Sequence, residues 1–101
     1  MKNYIFIKVL LAVMLTAGIT SAQYQNIFIT STGSPNEPSI CMNPKNTNQI
    51  VAGSNLNFYY YSTNGGYNWS RATLTSTYSV WGDPCIAVDT NGHFYYGHLT
   101  N

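Results

Sequence analysis

Glu37-Pro38-Ser39-Ile40-Cys41-Met42-Asn43 and Asp83-Pro84-Cys85-Ile86-Ala87-Val88-Asp89 are one phrase written twice, 46 residues apart. An acid, Pro, a small residue, Ile, a second small residue, a large apolar residue and Asx recur in that order. A polar turn follows each copy, 44–49 in the first and 90–93 in the second, the second shorter by two residues. Each turn leads into an apolar strand that ends on glycine, Ile50-Val51-Ala52-Gly53 against Phe94-Tyr95-Tyr96-Gly97. A period of about 40 to 50 residues holding several short strands is the pattern of propeller blades.

Within the first period the strand candidates are 38–42, 50–54, 57–62 and 69–75, separated by Asn and Gly turns. The expected fold is therefore all-β: a β-propeller of four-stranded antiparallel blades, with blade 1 at 37–82 and a partial blade 2 at 83–101, about one and a half blades in all. The alternative is a β-sandwich, which gives no reason for an acid-Pro start and a Gly finish at one offset. Residues 94–101 read as a strand running to the last residue, so the chain is expected to be an N-terminal fragment.

Upstream of the repeat, the start Met1-Lys2-Asn3-Tyr4-Ile5-Phe6-Ile7-Lys8 carries two lysines and no acid. It is followed by the apolar run Val9-Leu10-Leu11-Ala12-Val13-Met14-Leu15 and by Thr20-Ser21-Ala22. A basic region, an apolar core and a small-residue cleavage site in that order predict a helical signal peptide over residues 1–22. The competing reading, a membrane anchor, needs about 20 apolar residues, and Gly18, Thr20 and Ser21 interrupt the run. The mature protein is thus expected outside the cytoplasm, secreted or at the surface by bacterial export, with no membrane span. Residues 23–36 would be a lead-in strand or linker.

Beyond residue 22 the only charges are Lys45, Arg71, Glu37, Asp83 and Asp89, so the formal +1 of the whole chain comes from the signal. So few cations make no basic patch and exclude nucleic acid as the expected partner. Composition rich in Tyr, Asn, Thr, Ser and Gly is that of strands and turns.

Between the third and fourth strand candidates lies Tyr61-Ser62-Thr63-Asn64-Gly65-Gly66-Tyr67-Asn68-Trp69. It resembles the Asp-box, or BNR, repeat of sialidase-like propellers, S-x-D-x-G-x-x-W, with Ser62, Gly66 and Trp69 matching and Asn64 standing where the family has Asp. The strand Phe58-Tyr59-Tyr60-Tyr61, the Glu37-Pro38 start with its Asn43-Pro44 turn, and Trp81-Gly82-Asp83-Pro84 are also similar to exported bacterial members. The resemblance spans most of residues 36–101. It implies a fold marker on the propeller rim rather than a catalyst: the Asx side chain accepts backbone N–H bonds, Gly66 takes a positive φ, and Trp69 opens the next strand. Asn68-Trp69-Ser70 also fits a glycosylation sequon but overlaps the box.

For function the resemblance implies a glycan-directed protein, a sialidase-like glycoside hydrolase or a relative. The alternative is a non-catalytic propeller for carbohydrate or protein binding or adhesion, and a third reading is an assembly factor. A sialidase would need a Tyr nucleophile with a Glu partner, an Asp acid/base and three arginines that grip a carboxylate bidentately. After residue 22 there is one arginine, Arg71, on the outermost strand of its blade. No complete catalytic set is present.

Asp83 is the best single candidate for chemistry, at the start of a strand expected to line the channel, with Gly82 permitting close approach. Glu37 occupies the same place one repeat earlier, and a residue type that recurs in register is more often architectural. His93 and His98 lack the company a zinc site needs, and Asp89-Thr90-Asn91-Gly92 is a hairpin turn before it is a calcium loop, so neither metal nor cofactor is expected. Export would permit a Cys41–Cys85 disulfide between successive first strands; the alternative is two buried free thiols. The aromatics, Tyr59, Tyr60, Tyr61, Tyr78, Trp81, Tyr95 and Tyr96 among them, divide between packing and a carbohydrate platform.

Overall fold

The computed structural model describes Lys8 and residues 25–100. The signal-peptide reading of residues 1–22 therefore lies, Lys8 apart, outside the described residues.

The described chain is all-β and antiparallel. Strands β1 (Ser39–Met42), β2 (Ile50–Ser54), β3 (Phe58–Ser62) and β4 (Ser70–Thr73) form one sheet in the order β1-β2-β3-β4. Strands β5 (Gly82–Val88) and β6 (Phe94–Leu99) form a second, two-stranded sheet. Residues 25–36 contain no strand, so the lead-in is a linker. Its Gly33 takes φ 83°, and Asn36 accepts the Asn55 N–H at 3.1 Å.

The sequence repeat is also a repeat of register. Met42 pairs with Ile50, Cys41 with Val51, Ile40 with Ala52 and Ser39 with Gly53. Val88 pairs with Phe94, Ala87 with Tyr95, Ile86 with Tyr96 and Cys85 with Gly97. Each pair of the second sheet is the matching pair of the first. The two turns close alike: Asn43 N–H donates to Gln49 O at 2.9 Å, and Asp89 N–H to His93 O at 3.0 Å. Asn43 Oδ1 accepts the Lys45 N–H and Asp89 Oδ1 the Asn91 N–H, at 2.9 and 2.8 Å. The two-residue deletion is absorbed in the loop, and the Asx side chain closes the turn in both.

Period-2 alternation divides the four-stranded sheet into two faces. One carries Ile40, Met42, Ile50, Ala52, Ser54, Tyr60 and Ser62; of these Ile50, Ala52, Ser54, Tyr60 and Ser62 are buried, whereas Ile40 and Met42 are exposed. The other face, with Ser39, Cys41, Val51, Gly53 and Tyr59, receives the second sheet. Ile86 N–H donates to Ser39 Oγ at 2.9 Å, and the Cys41 thiol donates to Ile86 O at 3.0 Å. β1 therefore holds the flank of β5 by side chains in place of a backbone ladder.

This contact also bears on the two cysteines, for which a bridge and two buried free thiols were the alternatives. Cys41 and Cys85 are both free thiols, and Cys85 is exposed. Cys85 occupies the repeat position of Ser39, not of Cys41, which is the two-residue mismatch in the sequence made physical. The Cys41 sulfur is spent on a main-chain carbonyl. Arg71 is exposed on edge strand β4, with its guanidinium 4.9 Å from the Phe58 ring centroid, a cation over an aromatic face rather than a carboxylate clamp.

Candidate functional site

The strands have two ends, and the chemistry-bearing residues divide between them. At one end lie the turns 43–49 and 89–93 and the turn 62–69; Gly65 N–H donating to Asn48 O at 3.0 Å docks the third on the first. At the other lie the starts of β1 and β5, the 55–57 loop and residues 78–81.

The 62–69 turn is a closed set of hydrogen bonds. Ser62 Oγ donates to Asn64 Oδ1 at 2.9 Å and accepts from Gly66 N–H at 2.9 Å and Asn64 N–H at 3.3 Å. Asn64 Oδ1 also accepts the Asn68 N–H at 2.9 Å, and the Trp69 indole donates to Gly66 O at 2.8 Å. Gly66 has φ 90°, and a Cβ there would lie 3.5 Å from Ile50 Cδ1. All four residues marked in the sequence, Ser62, Asn64, Gly66 and Trp69, meet here, bonded to one another and to the turn's own backbone.

The Asp89 turn is the strongest electrostatic feature. Its carboxylate accepts N–H bonds from Asn91 and His93, pairs with His93 Nδ1 at 3.0 Å and accepts the Tyr95 hydroxyl at 3.1 Å. The His93 backbone bond, then the side-chain bonds from His93 and Tyr95, hold the carboxyl far below its usual range. The same hydrogen bond and charge hold the proton on Tyr95, raising its pKa. Because the folded pKa is depressed, this turn's contribution is complete above the unfolded value of about 4 and is lost as pH falls through the folded one. Asp89→Asn should therefore flatten the acid limb of the urea midpoint measured from pH 6 to pH 2. A limb as steep as that of the parent chain would show that the turn is not its source.

At the opposite end, Asn55 joins the repeats. Its amide N–H donates to the Glu37 carboxylate, and its Oδ1 accepts the Asp83 N–H at 2.7 Å. Glu37 and Asp83 both have left-handed backbones, φ 50° and 47°, and Asp83 directly follows Gly82 at φ 116°. That conformation is costly for a non-glycine residue. The two acids thus recur in conformation as well as in type, and Asn55 spans from one to the other. Nothing in the sequence around Asn55 marks this bridge, because the residues it joins are 18 and 28 positions away.

Beside the acids the surface opens into two clefts that share Leu56. One, of about 400 Å³, is lined by Leu56, Val80 and Trp81. The other, of about 340 Å³, is bordered by Asn36, Asn55 and Asn57. The Trp81 side chain is exposed (60%), and its backbone N–H donates to Leu99 O at 2.9 Å. An open indole and apolar floor next to carboxamides and two carboxylates can stack on a flat, hydroxyl-rich ligand and bind its hydroxyls. His98 is not part of this set: its Nδ1 faces the carbonyl of Leu99 at 2.8 Å. His93 lies at the far end with Asp89.

No protein-family model, no curated protein and no solved structure matches the chain.

Proposed function

We propose that this chain belongs to an exported propeller of the Asp-box type that recognises glycans, and that it meets them at the Trp81 end. The observation that carries this reading is the exposed side chain of Trp81, on a backbone held to Leu99 O, lining a cleft whose other wall, Leu56, also lines the cleft of Asn36 and Asn57. The repeated register of the two sheets and the closed 62–69 turn support the propeller part of the reading. Recognition fits the residues better than hydrolysis, because Asn55 holds the Glu37 carboxylate, while Asp83 meets Asn55 through its backbone N–H and leaves one carboxylate where glycoside hydrolysis uses a pair.

Hydrolysis remains the second reading, favoured by the placement of two carboxylates at one end of the strands. A panel of immobilised oligosaccharides, sialylated and neutral, tests both. Trp81→Ala should weaken retention on the bound glycan by tenfold or more, on the order of what one lost stacking contact costs. Unchanged retention would end the reading. Turnover of a fluorogenic glycoside that disappears in Asp83→Asn, with binding kept, would establish the hydrolase instead.

A further inference from the structure

The Asn-Gly pair occurs at Asn64-Gly65 and at Asn91-Gly92, each time in a tight turn. Glycine leaves the main-chain nitrogen that follows the asparagine without a Cβ beside it, so that nitrogen can reach the side-chain carboxamide. Asparagine is for this reason among the thermolabile residues. In the two turns the attacking groups start alike. Gly65 has φ 72° and donates its N–H to Asn48 O at 3.0 Å, and Gly92 has φ 91° and donates its N–H to Asp89 O at 3.1 Å.

The groups under attack differ. Asn64 is half-buried, and its Oδ1 accepts from Ser62 Oγ and from the Asn68 N–H, both at 2.9 Å. Asn91 is exposed, and among the described residues the polar partner of its carboxamide is Lys45 Nζ, 3.5 Å from Oδ1. Lys45 lies 46 positions earlier, in the preceding repeat. Its ammonium faces the oxygen on which negative charge grows when the carboxamide carbon is attacked.

We infer that Asn91 is a self-modification site, where the Gly92 nitrogen converts the side-chain amide to a carboxylate, while Asn64 keeps its amide. Gly92 N gives up its proton and bonds to Asn91 Cγ. The Cγ–Nδ2 bond breaks, and Nδ2 leaves with that proton as ammonia. Water, the co-reactant, then opens the cyclic imide. Cleavage of the new N–Cγ bond gives an aspartate at position 91, and cleavage of the original peptide bond gives an isoaspartyl link with the main chain routed through Cβ.

Both products alter the joint between the repeats. The aspartate meets the Lys45 ammonium as an ion pair across the two turns. The isoaspartyl link lengthens the main chain between Asp89 and His93, and so draws away the His93 N–H that the Asp89 carboxylate accepts at 2.9 Å. The fold itself demands the susceptible glycine, because a Cβ on residue 92 would lie 2.6 Å from Asn43 Nδ2.

The test follows both asparagines in the one chain, by peptide mass mapping with separation of the aspartyl isomers, during incubation in mildly alkaline buffer. In guanidinium, where the turns are gone, the two should react at similar rates. In the folded chain Asn91 should react faster by about tenfold or more, which is what the two bonds that Asn64 must break first are worth. Lys45→Met should slow Asn91 and leave Asn64 unchanged. Equal rates in the folded chain, or protection of both sites there, would overturn the inference. An Asn91 rate indifferent to Lys45→Met would overturn the part given to Lys45.

Discussion

Gly53→Val is expected to cost about 3 kcal/mol and to separate the two sheets. A Cβ on residue 53 would lie 2.9 Å from Pro84 Cβ and 2.9 Å from Tyr96 Cε2. Neither obstacle yields readily: Pro84 is a ring inside β5, and the Tyr96 hydroxyl reaches Phe58 O at 3.5 Å. Overpacking a tight contact costs about 1 to 3 kcal/mol for small insertions, and valine adds two further methyl groups. The control is built into the repeat. Gly97 holds the same register position in the second sheet, where a Cβ would meet only ordinary contacts, 3.6 Å from Cys85 O and 3.7 Å from Cys85 Cβ. Gly97→Ala should therefore stay within about 0.5 kcal/mol of the parent. Urea unfolding followed by tryptophan fluorescence measures both. Equal losses at the two positions would mean that glycine serves the strand itself and not the approach of Pro84 and Tyr96.

That contrast shows how far the sequence could be read. The 46-residue offset, the strand spans and the shortened second turn were legible because each is a local pattern repeated: alternation, Asx turns and a terminal glycine. The strands fall within about two residues of their expected limits, and the bonds of the 62–69 turn join the residues its pattern marked. What could not be read depends on neighbours distant in sequence. Asn55 bridges Glu37 and Asp83 only because the sheets stack, and no residue beside it announces the role. The left-handed backbone of Glu37 is likewise not announced by its residue type, whereas Asp83 is of a type that takes positive φ more readily. The choice between a bridge and two free thiols turns on the same kind of long-range fact, and the thiols are free. Both cysteines stand on corresponding strands, but a shift of two positions sends Cys41 to the Ile86 carbonyl while Cys85 takes the place of Ser39. Trp81 was visible as an aromatic, yet its exposure is a property of the 78–81 segment, which is not a strand.

Ser62→Ala is expected to cost about 2 kcal/mol, a large loss for the removal of one oxygen. Ser62 is 3% exposed, and its Oγ is the acceptor for the Gly66 N–H at 2.9 Å. Alanine leaves that buried donor without a partner, and the penalty for an unsatisfied buried group, about 1 to 3 kcal/mol, exceeds the worth of the bond itself. Exposed Thr63, one residue on, provides the reference, and Thr63→Ala should be nearly neutral. The neighbouring position tests the same network in the opposite direction. Asn64 Oδ1 already accepts from Ser62 Oγ and Asn68 N–H, so Asn64→Asp would turn both into charge-assisted bonds without moving an atom. A carboxylate receiving two such bonds has its pKa lowered in the folded state. The added stability should therefore be fully present above about pH 4 and disappear as pH falls through the folded pKa. At pH 7 the gain should be about 0.5 to 1 kcal/mol in the urea midpoint analysis. A variant that is less stable than the parent at neutral pH would show that the Asn64 amide N–H₂ has a role that its carbonyl does not replace.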